Sequence, residues 1–162
     1  MTYRKANRLA SIDAAYLAGL IDGEGTVTLS RVHRTRQRGL VVTISNTELA
    51  ILKHVFEVIG VGGITNKRRS RDNHTPSFTY HIADRQALDL LEQITPFMKS
   101  HKAARAKLVL REYLRLTPRN GRYTNDQLVQ RAAFIREFFE IRSADATGRA
   151  RPHLTVLLPG PN

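Results

Sequence analysis

The feature that most constrains the fold is an order of elements that occurs twice along the chain. A stretch with helical spacing of apolar residues at 13–23 precedes two alternating stretches, at 26–32 and 40–44. The order recurs with a helical stretch at 47–59, followed by strands that begin at 64 and span 77–82. Further helices are predicted at 84–93, 100–116 and 124–141, the last opened by a capping-box pattern. Strand pairs between helices predict an α+β fold of αββαββα order, with a four-stranded antiparallel sheet covered by helices on one face.

The other face of the predicted sheet is polar. Alternation within the strands places one set of side chains on this face: Thr28, Ser30, Thr65, Lys67, Thr79 and His81. The set contains no acid, which is typical of a surface that contacts a polyanion.

The charge of the chain indicates the same kind of partner. It has 26 Lys and Arg residues against 14 Asp and Glu, a net charge of +12. Between residues 25 and 71 the only acids are Glu48 and Glu57, whereas arginines cluster at 31–38 and 67–71. Solvated basic loops are the alternative interpretation. Because the basic segments accompany a polar sheet rather than an amphipathic helix, nucleic acid is favoured over a membrane surface.

Length and composition exclude several classes of protein. The 162 residues predict one domain at 13–142, with an N-terminal arm at 1–12 and a C-terminal tail at 143–162. The absence of cysteine excludes disulfides, Cys-ligated zinc and thiol nucleophiles. No apolar run approaches the roughly 18 residues of a membrane span, and no apolar stretch follows the basic N-terminus. We therefore expect a protein that is neither in the membrane nor secreted.

The first helix ends in an unusual cluster of glycines around one acid. Gly19 and Gly23 lie four residues apart, where each lowers helix stability by up to about 1 kcal/mol relative to alanine. Such spacing favours close packing against a second helix, and Glu24 follows at the unfavourable negative end of the helix dipole. Two copies packed side by side would bring two carboxylates together, which a divalent cation would stabilise. A glycine-rich helix end with a solvated glutamate is the alternative.

Residues Leu17–Gly25, which read LAGLIDGEG, resemble the signature of the LAGLIDADG homing endonucleases. The αββαββα order, the segment Ile59–Gly62 and the segment Pro96–Lys99 are similar to the single-motif members of that family. The resemblance implies a homodimer that cleaves both strands of a long, near-palindromic double-stranded DNA site. It further implies Mg²⁺, or another divalent cation in its place, and a gene carried by an intron. A maturase that binds its own intron RNA, a non-catalytic nucleic-acid-binding protein and a transcriptional regulator of the same fold are the alternatives.

The resemblance assigns roles position by position. Glu24 matches the metal-binding acid of the family, and the carbonyl of Gly23 matches a further metal ligand. Asp22 is expected to make structural hydrogen bonds near the interface. The motif implies a dimer interface formed by Leu17, Ala18, Gly19, Ile21 and Asp22.

Two further catalytic positions follow from the resemblance. Lys102 matches a basic residue of the family near the scissile phosphate, with Lys99 as the alternative. Where many members have a glutamine at the end of the second strand, this chain has Ser45 and Asn46. Ser45 is therefore a catalytic candidate, although Ser45–Glu48 also reads as a capping box for the next helix.

The resemblance also implies that the polar sheet face and its loops bind DNA. The predicted DNA-binding residues are Thr28, Ser30, Arg34, Arg36, Gln37, Arg38, Thr43, Thr65, Lys67, Arg69, Thr79 and His81.

Overall fold

A computed structural model describes residues 3–31, 36–66 and 75–144. In chain order the elements are α1 (Ser11–Glu24), β1 (Gly25–Ser30), β2 (Gly39–Asn46), α2 (Leu49–Ile59), β3 (Gly63–Asn66), β4 (Phe78–Ala83), α3 (Asp84–Ile94), a 3₁₀ turn (Thr95–Phe97), α4 (His101–Glu112) and α5 (Asn125–Glu140). The predicted α+β class and the αββαββα order are confirmed.

The four strands form one antiparallel sheet in the order β1-β2-β4-β3. β1 and β2 form one hairpin and β3 and β4 another, and β2 pairs with β4 at the centre. This arrangement leaves β1 and β3 as the two edge strands.

One face of the sheet is covered by helices. The inward side chains of the strands are fully or almost fully buried: Val27, Leu29, Leu40, Val42, Ile44, Tyr80 and Ile82. Helices α1, α2 and α3 pack against β2 and β4, whereas α4 packs beside β1. The apolar core therefore lies between these helices and the sheet, as the strand alternation predicts.

Helix α1 runs directly into strand β1 without a loop. The N–H of Gly25 donates to the carbonyl of Ile21, which closes the last helical turn. A Cβ at Gly25 would lie 2.7 Å from the Ile21 Cα, so only glycine fits at this point. The transition fixes Glu24 at the boundary between helix and sheet.

Residues 3–10, which lie within the predicted N-terminal arm, pack against the domain. The Asn7 N–H donates to the Ile59 carbonyl at 2.8 Å, and the Leu9 N–H to the Gln93 side chain at 2.8 Å. The Tyr3 hydroxyl donates to Asp89 at 2.7 Å. Since these bonds span more than 50 residues of sequence, local patterns do not reveal them.

The C-terminal helices differ partly from prediction. The capping box that opens α5 is confirmed, with reciprocal hydrogen bonds between Thr124 and Gln127. Helix α4 ends at Glu112 rather than Leu116. None of the helices in the described part of the chain combines the length and apolarity that crossing a bilayer requires.

Candidate active site and nucleic-acid interface

The sheet face opposite the helices is polar and free of acids. Its outward side chains lie in three rows across the strands: Thr28 and Val41; Thr26, Thr43 and His81; and Ser45, Thr79 and Thr65. None of the four strands contains Asp or Glu. The predicted orientation of Thr28, Ser30, Thr43, Thr65, Thr79 and His81 is confirmed, while their contact with DNA stays a prediction.

Glu24 lies exposed at the end of α1, next to this sheet face. Gly23, also exposed, belongs to the last helical turn, whose carbonyl groups lack partners within the helix. A carboxylate and outward carbonyls are the hard oxygen ligands that Mg²⁺ and Ca²⁺ prefer. Within the described residues, however, no group of three or more His, Asp or Glu side chains could hold a metal ion. A single chain therefore presents one exposed carboxylate, that of Glu24, beside the carbonyl groups at the end of α1.

Asp22, two residues before Glu24, points away from this position and caps the start of α4. Its carboxylate accepts the Ser100 hydroxyl at 2.5 Å, the Lys99 N–H at 2.6 Å and the Ser100 N–H at 3.2 Å. Burial raises the pKa of Asp22, but these hydrogen bonds and the charge of Lys102 outweigh it and hold the pKa below its usual value. Asp22 is therefore a structural acid.

Lys102 makes the reciprocal contact to the end of α1. Its ammonium donates at 2.8 Å to the carbonyl of Ile21 and at 2.8 Å to that of Asp22. Burial lowers the pKa of Lys102, and the nearby charges of Asp22 and Glu24 oppose this lowering. The structure thus places a cation at the negative end of the α1 dipole, close to Glu24. Lys99, the alternative candidate, contacts Asp22 through its backbone N–H.

Ser45 lies in β2, and the prediction that it caps the next helix is wrong. Its hydroxyl shares a 2.8 Å hydrogen bond with the Thr79 hydroxyl across the sheet. The Asn46 side chain instead accepts the Glu48 N–H at 2.8 Å, and α2 begins at Leu49 without a side-chain cap. Ser45 therefore faces the polar side of the sheet, at the end of the strand pair nearest to Glu24.

Two arginines cover the outer edge of β1. Arg105 of α4 donates to the Val27 carbonyl at 3.2 Å, and Arg38 donates to the Leu29 carbonyl at 3.1 Å. Their guanidinium groups also lie over Phe138 and Phe139 of α5, at 4.9 and 5.2 Å from the ring centroids. Such coverage protects an edge strand from pairing with other chains. Arg38 is therefore engaged within the chain, and its contact with DNA stays a prediction.

The exposed side of α1 differs from the predicted interface. Leu17, Ala18 and Ile21 are fully buried in the chain's own core, so the prediction that they face a partner is wrong. Gly19 does lie outward, with nothing within 4 Å of a Cβ added there, and Gly23 is equally open. These glycines continue an exposed stripe that contains Ile12 and Tyr16.

Other predicted DNA contacts vary in how well the structure places them. Arg36 and Gln37 are exposed just before β2. Arg34, Lys67 and Arg69 lie outside the described residues.

Three residues at the site were not predicted from the sequence. Thr26 is one of them, although the alternation that identifies Thr28 also places Thr26 outward. His101 and Arg105 were missed as neighbours of Lys102; burial, together with the charges of Arg105 and Lys102, lowers the pKa of His101.

Comparison with known proteins identifies the family. The family model of the LAGLIDADG-like domain matches residues 11–95, which is 85 of the 162 residues. The chain belongs to the LAGLIDADG family. The match begins at the first residue of α1 and ends at Thr95, immediately after α3, so it includes Glu24 and the whole sheet. A search of curated proteins found no match.

Solved structures of LAGLIDADG homing endonucleases share this fold. I-CvuI in complex with its target in the presence of Ca is 21% identical, with a TM-score of 0.66 over 87% of each chain. The archaeal intron-encoded enzyme I-Vdi141I in complex with DNA is 18% identical, with a TM-score of 0.64 over 82% of this chain and 86% of that one. The meganuclease I-CpaMI bound to uncleaved DNA is 14% identical, with a TM-score of 0.56, and the match covers 51% of its chain.

Proposed function

We propose that two copies of this chain form a site-specific, divalent-metal-dependent DNA endonuclease of the homing type. The observation that carries the proposal is the position of Glu24. An exposed carboxylate at the end of a glycine-containing helix lies beside a lysine ammonium and at the border of an acid-free sheet face. That combination suits hydrolysis of a phosphodiester in DNA bound along the sheet.

The partial metal site supports an assembly of two copies. One chain offers one outward carboxylate at this position, because Asp22 is used to cap α4. Pairing two copies through the exposed stripe of α1 would bring their Glu24 carboxylates together. The coverage of solved structures agrees with this: the chain spans most of I-CvuI but about half of the I-CpaMI chain.

The sheet face and its charge support double-stranded DNA as the substrate. A two-stranded ribbon fits the major groove, and hydroxyl and imidazole groups are suited to reading base edges. The similar structures of I-CvuI and I-Vdi141I are complexes with DNA. A symmetric dimer would read a near-palindromic site, each copy contacting one half. Intron encoding is proposed from the resemblance and from the intron-encoded relative I-Vdi141I.

Four residues of each chain would have different roles at the scissile phosphate. Glu24 and the Gly23 carbonyl would hold the cation, for which Mg²⁺ is the proposed choice. A cation bound there supplies an activated water and stabilises the charge that develops on the phosphate. Lys102 holds the end of α1 in place and adds positive charge near the phosphate. Ser45, at the sheet end nearest to Glu24, would bind water.

The deciding experiment is selection of a cleaved site from a randomised duplex library with Mg²⁺, followed by cleavage assays of Glu24→Gln. We expect the variant to bind the selected site and to cut it at least about 100-fold more slowly, since metal catalysis contributes several kcal/mol. Glu57→Gln, at an exposed position of α2, is the matched control and should cut normally. Binding without any cutting by the wild type would instead support a non-catalytic nucleic-acid-binding protein, and a fully active Glu24→Gln would refute the metal assignment.

A further inference from the structure

A set of side chains outside the active site converges on the start of β2. β1 runs from Gly25 to Ser30 and β2 returns from Gly39, so this point lies about 17 Å from the Glu24 end of the sheet. The exposed residues Arg31, Arg36 and Gln37 lie next to it. It is the loop end of the β1–β2 hairpin, at the edge of the polar sheet face farthest from Glu24.

Three consecutive residues at this loop end, 38–40, are held by three different side chains. The carbonyl of Arg38 accepts a hydrogen bond from the Arg131 guanidinium of α5. Gly39 lies against Asp84, whose Oδ1 would be 2.9 Å from a Cβ added at Gly39.

The third contact completes the set. The N–H of Leu40 donates to the Tyr113 hydroxyl at 3.0 Å, and that hydroxyl donates to Asp84 Oδ1 at 2.6 Å. We call Asp84, Tyr113 and Arg131 the hairpin cradle. It joins α3, the end of α4 and α5 to one point of the sheet.

Arg131 is an unusual residue to find in a core. It is 1% exposed, forms no ion pair within the described residues, and its Nε lacks a hydrogen-bond partner there. Its Nη1 donates to both the Leu116 carbonyl and the Thr117 hydroxyl, each at 2.6 Å, and its Nη2 donates to the Arg38 carbonyl. The guanidinium lies 5.7 and 5.5 Å from the centroids of the Tyr113 and Tyr123 rings. A buried guanidinium without an ion pair is unfavourable for stability, yet its hydrogen bonds to Arg38, Leu116 and Thr117 hold these three segments together.

Asp84 adds a second unfavourable feature at the same place. It has a φ of +50°, a left-handed conformation that residues other than glycine rarely adopt. Backbone strain of this kind persists where the surrounding structure enforces it, often at functional sites. Both features therefore converge on residues 38–40 rather than on the catalytic end of the sheet.

We infer that the hairpin cradle positions the β1–β2 hairpin and thereby sets base discrimination at the outer part of each DNA half-site. Asp84, Tyr113 and Arg131 are positioning residues, because they act on DNA through the backbone of residues 38–40. The inference rests on the proposed function. It goes beyond it by assigning a specificity role to α5, which lies outside the segment that the family model matches.

The test uses the full chain and the duplex selected by the wild type. Tyr113→Phe removes one hydroxyl and leaves the ring against Arg131, and Arg131→Met removes the guanidinium. Tyr80→Phe is the matched control for the first variant, because its hydroxyl makes a buried 2.7 Å bond to Val61 on the β3 side of the sheet. Arg111→Met, which removes an exposed arginine of α4, controls for charge.

Affinity is measured for every single base-pair substitution of the site, together with the cleavage rate at saturating protein and the Tm. Tyr113→Phe should reduce discrimination about tenfold at the outer base pairs, the scale of one base contact, with central positions and cleavage rate unchanged. Both control variants should retain the wild-type profile. If Arg131→Met does not fold, Tyr113→Phe decides alone.

Two results would overturn the inference. One is a wild-type discrimination profile in Tyr113→Phe, and the other is a loss spread evenly over all positions and the cleavage rate. A wild type that selects no duplex at all would instead refute the proposed function, and the inference with it.

Discussion

At the residue scale, the two acids of the Leu17–Gly25 motif differ in their contacts. Asp22 accepts three hydrogen bonds from Lys99 and Ser100, while the Lys102 ammonium donates to two carbonyls at the end of α1. Each helix thus caps the other: Asp22 binds the positive start of α4, and Lys102 binds the negative end of α1. Glu24 takes part in none of these five hydrogen bonds, and its side chain is exposed.

Replacing Asp22 by asparagine should destabilise the fold in a pH-dependent way. Loss of charge-assisted hydrogen bonds is expected to lower the free energy of unfolding by about 2 kcal/mol, or about 4–8 °C in Tm, at pH 7. Because the pKa of Asp22 is lowered in the folded state, its contribution is full above the unfolded value near pH 4 and is lost as pH falls through the folded pKa. Thermal unfolding from pH 7 to pH 3 should therefore show the two proteins converging in acid. A difference in Tm that persists unchanged at pH 3 would contradict this, and Asp126→Asn in α5 controls for loss of one charge.

Replacing Lys102 by methionine should slow cleavage more than it weakens DNA binding. The ammonium lies at the end of α1 rather than on the sheet, so we expect a roughly 100-fold slower single-turnover rate with a Kd changed less than about threefold. The Tm should fall by about 2–4 °C through loss of the dipole contact. Lys107→Met, on the exposed side of α4, is the control. An equal loss of rate in both variants would show that only the overall charge matters.

At the element scale, the sequence predicts the order and orientation of the elements well, because apolar periodicity within each strand and helix records which side is buried. Prediction from the sequence fails where contacts between residues far apart in the chain determine the local structure. Ser45–Glu48 has the pattern of a cap, yet β2 continues to Asn46 because that residue pairs with Phe78. The sequence of the predicted arm does not show that residues 3–10 bind partners in α2 and α3. The role of Arg131 has no local signal, since an arginine in an amphipathic helix usually lies in solvent.

The exposed stripe of α1 leads to a prediction about assembly. A side chain at Gly19 meets nothing within 4 Å, so Gly19→Leu should leave the folded chain intact and remove a glycine from a helix interior. It should prevent close approach of a second α1, giving a monomer by sedimentation and at least about a tenfold loss of cleavage. Gly121→Leu is unsuitable as a control, because that residue has a φ of +67°. Ala15 occupies a neighbouring exposed position, so Ala15→Leu serves as the control and should reduce dimerisation and cleavage less than Gly19→Leu does. A Gly19→Leu dimer as stable as the wild type would place the interface elsewhere.

At the scale of the whole molecule, the distribution of charge matters more than its sum. A dimer would carry twice +12, or +24, yet not every arginine is available to a phosphate. Arg38 and Arg105 cover the edge of β1, and Arg131 is buried in the hairpin cradle. Several arginines therefore stabilise the surface on which others can bind DNA.

The difference between arginines that stabilise the chain and arginines that bind phosphate can be measured through the salt dependence of DNA affinity. Phosphate contacts release counterions, so affinity for the selected duplex should fall at least about 1000-fold between 50 and 200 mM salt. Arg36 and Arg38 form a matched pair two residues apart: Arg36 is exposed, whereas the Arg38 guanidinium is held by Leu29 and Phe139. Arg36→Gln should reduce the log–log slope by about 2 for two copies, with little change in Tm. Arg38→Gln should lower the Tm and leave the slope unchanged. If Arg36→Gln and Arg38→Gln reduced the slope equally, Arg38 would contact DNA despite its contacts within the chain. The DNA-binding surface would then include Arg38.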